Sequence, residues 1–410
     1  MQQAGRYQAV IELLCKIEES QVPADKIINE YMRERKFIGS KDRRFIADMV
    51  WDIIRNKMKL SFDATSGNVR KLVLLYMQKF TADNPQEIFN GDKYAPAVLT
   101  AEEQDFLQQE NEEPYPLYVE AEVPEWIFDK IKNVDFFKAL NQPACADFRI
   151  NVKNREDVLT SLQAEGLEFE ACAYSPIGVR SYQRISLGNC LAYQSGEIEV
   201  QDEASQIAAI MCDVKAEHKI IDYCCGAGGK SLALAYLLDN KGKILAHDIS
   251  AKRLEAIKPR MQRLGVKNIE LTDLIATTDR DFDRFILDAP CSGSGTWRRC
   301  PDAKFRLTPE FLQALNKTQR ELLEVAYDKT KIGGRIVYIT CSIFREENED
   351  IVENFVKSHN DLNLLNLREL WTQKIKMTYP CSADEYLRLS PKTTGTDGFF
   401  MAVIEKNSKL

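Results

Sequence analysis

Histidine is scarce: the 410 residues contain only His218, His247 and His359. So few rings supply poorly both metal hydrolysis with imidazole ligands and Ser-His-Asp chemistry. No apolar run reaches the roughly 18 residues needed to span a bilayer. The N-terminal MQQAGRYQAVIELL lacks the cationic patch and pure apolar core of a secretion signal. A cytoplasmic chain with no membrane partner is the expectation. None of the eleven cysteines stands in a C-x-x-C spacing or a Cys/His cluster of zinc type. No bound metal is therefore expected, and most cysteines read as reduced core residues.

A basic excess is missing too, since the formal net charge is -7. That argues against a nucleic-acid partner until the acid is located. Between Ala101 and Trp126 stand Glu102, Glu103, Asp105, Glu110, Glu112, Glu113, Glu120, Glu122 and Glu125, with no Lys or Arg; without these nine the remainder carries +2. Local basic clusters matter more for phosphate contact than the total. Two groups are candidates to face RNA: Arg43, Arg44, Arg55, Lys57 and Lys59, which read more readily as a solvated face beside a core stripe, and Trp297-Arg298-Arg299 with Lys304 and Arg306. A third, Lys252 to Lys267, reads equally well as a solvated helix face.

With 44% apolar and 29% charged residues, the chain is long enough for two or three domains. Val10, Leu13, Leu14 and Ile17, then Phe45, Ile46, Met49, Val50, Ile53 and Ile54, fall at helical spacing, with Gly39-Ser40 as a start signal for the second run. Residues 81 to 125 lack sustained periodicity and are expected to include a long loop or linker. From Ala146 to Tyr193, DFRINV, EDVLTSLQAEG and LEFEACAY suggest a small β-α-β unit. Beyond Val200, helices alternate with the strands KIIDY, KILAHD, FDRFILD and GRIVYIT, the pattern of a doubly wound, parallel α/β sheet. YLRLSP and GFFMAVIE read as a hairpin closing its edge.

Between KIIDY and the next helix lies CCGAGGKS, Cys224 to Ser231, a ligand loop by its strand-turn-helix context. Gly229-Lys230-Ser231 ends like a triphosphate loop, but that pattern needs glycine where Cys224 stands. The dinucleotide fingerprint fails at Ser231, where its third glycine belongs. A third ligand, S-adenosylmethionine (SAM), needs close backbone approach without a pyrophosphate and an acid on the next strand for ribose hydroxyls; Asp248 is so placed. Asp273 and Asp288 end later strands on the ligand-binding side, although each alone could be a helix cap.

Two cysteines follow apolar strands: Cys291 in Asp288-Ala-Pro-Cys-Ser-Gly-Ser-Gly and Cys341 in Thr-Cys-Ser. Alone, each would read as a buried hydrophobe. Paired above one sheet, and flanked by Asp288 and the SAM-like loop, they suit cytosine methylation. A thiolate added to C6 makes C5 nucleophilic, and a base then removes the C5 proton.

DYCCGAGGK, AHDIS, FDRFILDAPCSGSGTWRRCPDAKFRL, YITCSIFREENEDI and TDGFFMAVIEK resemble, in order, motifs of the Sun-type (RsmB-like) bacterial RNA cytosine-5 methyltransferases. The resemblance is strong over residues 200 to 405. It implies a Rossmann-like class I SAM methyltransferase domain over 201–410, a small RNA-recognition-like α/β subdomain over 136–200, and a helical NusB-like RNA-binding domain with an acidic linker over 1–135. It also implies Cys341 as nucleophile, Cys291 as the residue assisting product release, and Lys230 and Asp288 beside the target base. Cys224, Cys225, Gly226, Ala227, Gly228, Gly229, Lys230, Asp248, Arg253, Asp273 and Asp288 correspond to the SAM contacts. Ala227 stands where members often have proline. The expectation is a monomeric enzyme making 5-methylcytosine in 16S ribosomal RNA. Transfer RNA as substrate, or a non-catalytic RNA-binding assembly factor, are the alternatives.

Overall fold

Apolar spacing becomes helix where expected: Gln3–Glu18 and Ser40–Arg55 bury Tyr7, Val10, Leu13 and Leu14 with Ile46, Val50 and Ile53. Each such side chain contributes roughly 1.5–3 kcal/mol on full burial. The computed structural model describes residues 1–109, 111, 113–273 and 281–408, so Glu110 and Glu112 of the acidic run lie outside the described residues. No helix among the described residues is long and apolar enough to cross a membrane. The chain divides into two compact units, Met1–Gln142 with Trp297–Leu307, and Pro143–Thr296 with Thr308–Leu410.

Unit 1 is helical, with no strand among its described residues. The stretch 81–125 includes a long loop between Ile88 and Ala101 and adds the short helices Pro85–Ile88, Ala101–Phe106 and Leu117–Glu120, leading into Glu125–Ile131. Caps define the first two instead of periodicity, with Asn84 bonding the Gln86 N–H and Thr100 forming a capping box with Glu103. The acid is partly internal, since buried Glu103 pairs with Arg70 at 2.7 Å and buried Glu122 accepts the Met58 N–H at 2.9 Å.

The basic segment is also corrected. Trp297, Arg298 and Lys304 are buried, so they are not surface phosphate contacts. Lys304 Nζ donates to Asn141 Oδ1 at 2.9 Å, and Arg55 donates to the Asn141 and Arg298 carbonyls. Arg306 pairs with Asp302, and Arg299 is exposed. In the N-terminal cluster, Arg43 bonds the Ile38 carbonyl and Lys57 pairs with Glu18.

Unit 2 carries two sheets. The first contains β1 (Ala146–Ile150), β2 (Glu170–Ala171), β3 (Gly178–Ser181) and β4 (Ile198–Val200) in the order β2-β3-β1-β4, antiparallel throughout, with the helix Arg155–Ala164. LEFEACAY yields only two strand residues, while β3 and β4 are too short to show alternation.

The second sheet contains β5 (Lys219–Asp222), β6 (Lys243–His247), β7 (Ile269–Thr272), β8 (Phe282–Asp288), β9 (Thr330–Thr340), β10 (Leu362–Leu364), β11 (Tyr386–Leu389) and β12 (Phe399–Lys406). Its order is β10-β12-β9-β8-β5-β6-β7, with β11 also paired to β12. Strands β5 to β9 run parallel, as a doubly wound Rossmann-like α/β sheet requires. The expected hairpin forms, but β12 lies between β9 and β10 and closes no edge. Its first six residues are all buried, the pattern of a strand covered on both faces. The chain leaves β5 toward β6 and returns on β5's other side as β8, which makes the β5/β8 crevice the switch point where such sheets hold ligands.

Candidate active site

The loop after β5 wraps the switch point. Gly226 and Gly228 have φ of +56° and +77°, and a Cβ at Gly228 would meet Ile257 at 2.9 Å. Only glycine meets both demands at 228. The turn is closed by Gly228 N–H to the Cys225 carbonyl at 2.8 Å, and Arg260 donates to the Ala227 carbonyl. Cys225 is buried and Cys224 half-buried, its thiol pushed up to about 12, chiefly by burial. Asp248, just beyond β6 and 4% exposed, accepts the Gly226 N–H at 2.9 Å and the Ser250 N–H at 2.8 Å.

These residues fit a small ligand with hydroxyl donors. A Cβ added at Gly226 or Gly229 would meet nothing within 4 Å, so the loop has an open face. Each Asp248 oxygen retains a second lone pair. Arg253 Nη1 lies 3.8 Å from Asp248 with its side chain mostly exposed, and Asp273 is exposed just past β7.

Lys230, in the first turn of the helix Gly229–Leu237, reaches Asp288 at the end of β8, with Nζ 2.7 Å from Oδ2. The lysine side chain is 9% exposed and the aspartate 34%. Desolvation acts to lower the Lys230 pKa, but Asp288, Asp222 and Cys341 together raise it above its ordinary value. The ammonium also lies 5.0 Å from the Phe399 ring centroid. Beneath it, Asp222 is fully buried; Ser231 Oγ donates to its Oδ2 at 2.6 Å, and Oδ1 has no partner.

Cys291 and Cys341, following β8 and β9, come together with Sγ to Sγ at 3.4 Å. The hydrogen bond with Cys341, then desolvation, push the Cys291 thiol well above its ordinary value. Gly295 N–H bonds the Cys341 carbonyl at 2.8 Å and Gly398 N–H bonds the Gly295 carbonyl at 2.8 Å. A Cβ at Gly295 would stand 2.1 Å from the Gly398 oxygen, so these backbones meet only because both residues are glycine.

Glu347 was not singled out in the sequence. Fully buried, it accepts hydrogen bonds from Ser292 and Ser342, the residues following the two cysteines, and from Gln319. The repeated Cys-Ser pair is the signal that could have pointed to a shared acceptor. Of the cluster Lys252 to Lys267, Arg260 and Arg263 turn to Glu199, whereas Lys252, Arg253, Lys258 and Lys267 are exposed.

Residues 209–405 match the family described as 16S rRNA methyltransferase RsmB/F. A Bacillus subtilis protein named "Probable ribosomal RNA small subunit methyltransferase B" is 26% identical over 440 residues, covering 97% of each chain. The Serratia proteamaculans "Ribosomal RNA small subunit methyltransferase F" is 30% identical over 288 residues, covering 67% of this chain and 60% of its own. The crystal structure of PH0851 matches at a TM-score of 0.78 and 25% identity, covering 98% of this chain and 99% of that one.

Proposed function

We infer, from a chain that belongs through residues 209–405 to the Sun-type RsmB/F family of RNA methyltransferases, that this protein forms 5-methylcytosine in 16S ribosomal RNA. The observation carrying the cytosine-5 reading is the pair of strand-end thiols 3.4 Å apart, on the same sheet as the Lys230–Asp288 ion pair. Adding a methyl group to C5 requires a nucleophile that first adds at C6, and proton handling when it leaves. Two adjacent thiols divide those tasks.

In this reading Cys341 attacks as a thiolate, forming an S–C6 bond and shifting the ring electrons toward C5. Asp288, oriented by Lys230, bonds the N3/N4 edge of the base, and a proton taken up at N3 from solvent, and released again when the thiolate leaves, makes C6 more electrophilic. The residues that would hold SAM are Cys224 to Lys230, Asp248, Arg253, Asp273 and Asp288. When bound, SAM supplies an electrophilic methyl group. Once C5 carries the new methyl, a base removes its remaining proton, the C5=C6 bond re-forms and the S–C6 bond breaks, returning the Cys341 thiolate. Cys291, kept as a thiol by its neighbour and by burial, assists that release.

Cys341→Ala should abolish methyl transfer, whereas Cys291→Ala should accumulate a denaturation-resistant protein-RNA adduct. The opposite pattern would exchange the two roles. Bisulfite sequencing of ribosomal and transfer RNA from a deletion strain should show a lost 5-methylcytosine in 16S RNA; a loss confined to transfer RNA would overturn the substrate assignment.

A further inference from the structure

We propose that Glu347 is a positioning residue for the thiol pair, clasping the Cys291 and Cys341 loops through the serine that follows each cysteine. The assignment rests on the two-thiol reading above. Oε1 accepts the Ser292 N–H at 2.9 Å and Gln319 Nε2 at 3.0 Å, while Oε2 accepts Ser292 Oγ at 2.5 Å and Ser342 Oγ. One carboxylate therefore ties the loop after β8 to the loop after β9 within one residue of each sulfur.

The clasp is itself fixed. Tyr338 donates to the Glu347 carbonyl at 2.7 Å, and Asn348 donates to the Ser342 carbonyl at 2.9 Å while accepting Thr340 Oγ1 at 2.6 Å. Gln319, on the helix Pro309–Lys329, also donates to the Pro290 carbonyl at 2.9 Å. A fully buried carboxylate is retained only where donors converge on it, and those donors come from both cysteine loops and a helix.

This explains what a packing role leaves out. The thiols are not covalently joined, yet their 3.4 Å separation requires two loops from different strands to stay in register. Proton exchange between sulfurs falls steeply with distance, and misplacement by about 1 Å can cost about 100-fold in rate. Glu347 touches no reacting atom. Its negative charge adds to the influences holding Cys291 as a thiol, after the Cys341 hydrogen bond, burial and the Cys341 charge.

Glu347→Gln keeps the shape but places an amide donor against groups that all donate. In the full-length protein, iodoacetamide alkylation of Cys291 and Cys341 would be followed by mass spectrometry from about pH 6 to about pH 10. The expected result is faster alkylation of Cys291 relative to Cys341 at each pH, by about threefold or more. Where methylation is measured, kcat should fall about tenfold or more with KM for RNA and SAM within about twofold. Should Glu347→Gln fail to fold, Ser292→Ala and Ser342→Ala each remove one arm while keeping the carboxylate charge, and each should lower kcat with KM unchanged and without speeding Cys291 alkylation.

A folded variant with the wild-type alkylation profile and kcat would overturn the assignment. If alkylation shifts but the wild-type protein methylates no RNA, the clasp stands and the proposed function fails. If the wild type methylates 16S RNA and Glu347→Gln does so equally, the reverse holds.

Discussion

Replacing Gly229 by alanine should move stability and cofactor affinity in opposite directions. Gly229 opens the helix Gly229–Leu237, is not among the positive-φ glycines, and a Cβ there meets nothing within 4 Å. Alanine therefore adds no strain. In a helix interior it gains about 0.8–1 kcal/mol over glycine, and about half of that, ~0.5 kcal/mol, is expected in the first turn. The same methyl group projects from the open face of the loop assigned to SAM. Overlap with a bound ligand costs about 1–3 kcal/mol, or roughly a 5- to 150-fold weaker Kd. Urea unfolding monitored by circular dichroism should show a slightly higher midpoint, and titration calorimetry with SAM a weaker Kd. A Kd within about twofold of wild type, with the midpoint raised, would show that SAM does not lie against this face.

At Gly295 the same change should be severe, because its Cβ would stand 2.1 Å from the Gly398 oxygen; about 3 kcal/mol of stability should be lost with the methylation rate, and a loss under about 0.5 kcal/mol would refute the close approach. Asp222, fully buried, has its carboxyl raised to about 6, chiefly by burial. The folded chain therefore holds that proton where the unfolded chain has lost it. Its contribution is fully present below about pH 4, is lost as pH rises to about 6, and has a total on the order of 2–3 kcal/mol. Asp222→Asn should flatten this window in urea midpoints measured across it, and an unchanged slope would place the titration elsewhere.

The parts of the site legible in sequence are those set by local grammar. Asp248, Asp288 and the two cysteines each end or follow an apolar strand, so their common level above the sheet follows once the strands are parallel. Glu347 was not legible because FREEN offers two acids in succession, and which one faces inward depends on Ser292 and Gln319 arriving from elsewhere. Lys304 and Arg298 look like surface cations in one dimension, yet their partners Asn141 and Arg55 lie far away in sequence. Helices as short as Pro85–Ile88 and Leu117–Glu120 span barely one turn, too little for a period to register. In β12, the unbroken FFMAVI contained the signal of a strand covered on both sides, which adjacency to β11 obscured.

That central place of β12 has a consequence for how the enzyme comes into being. A ribosome making this chain delivers the glycine loop, Lys230, Asp288, Cys291 and Cys341 before any of β12. Until β12 arrives, the long β9 presents an unpaired edge, and the Gly295 carbonyl lacks the Gly398 N–H that backs the Cys291 loop. The nascent chain thus carries every group proposed for the reaction while its sheet is still open to pairing with other chains. Holdase binding should be strongest in that interval, and the thiol pair should acquire its final geometry only when the last strand docks.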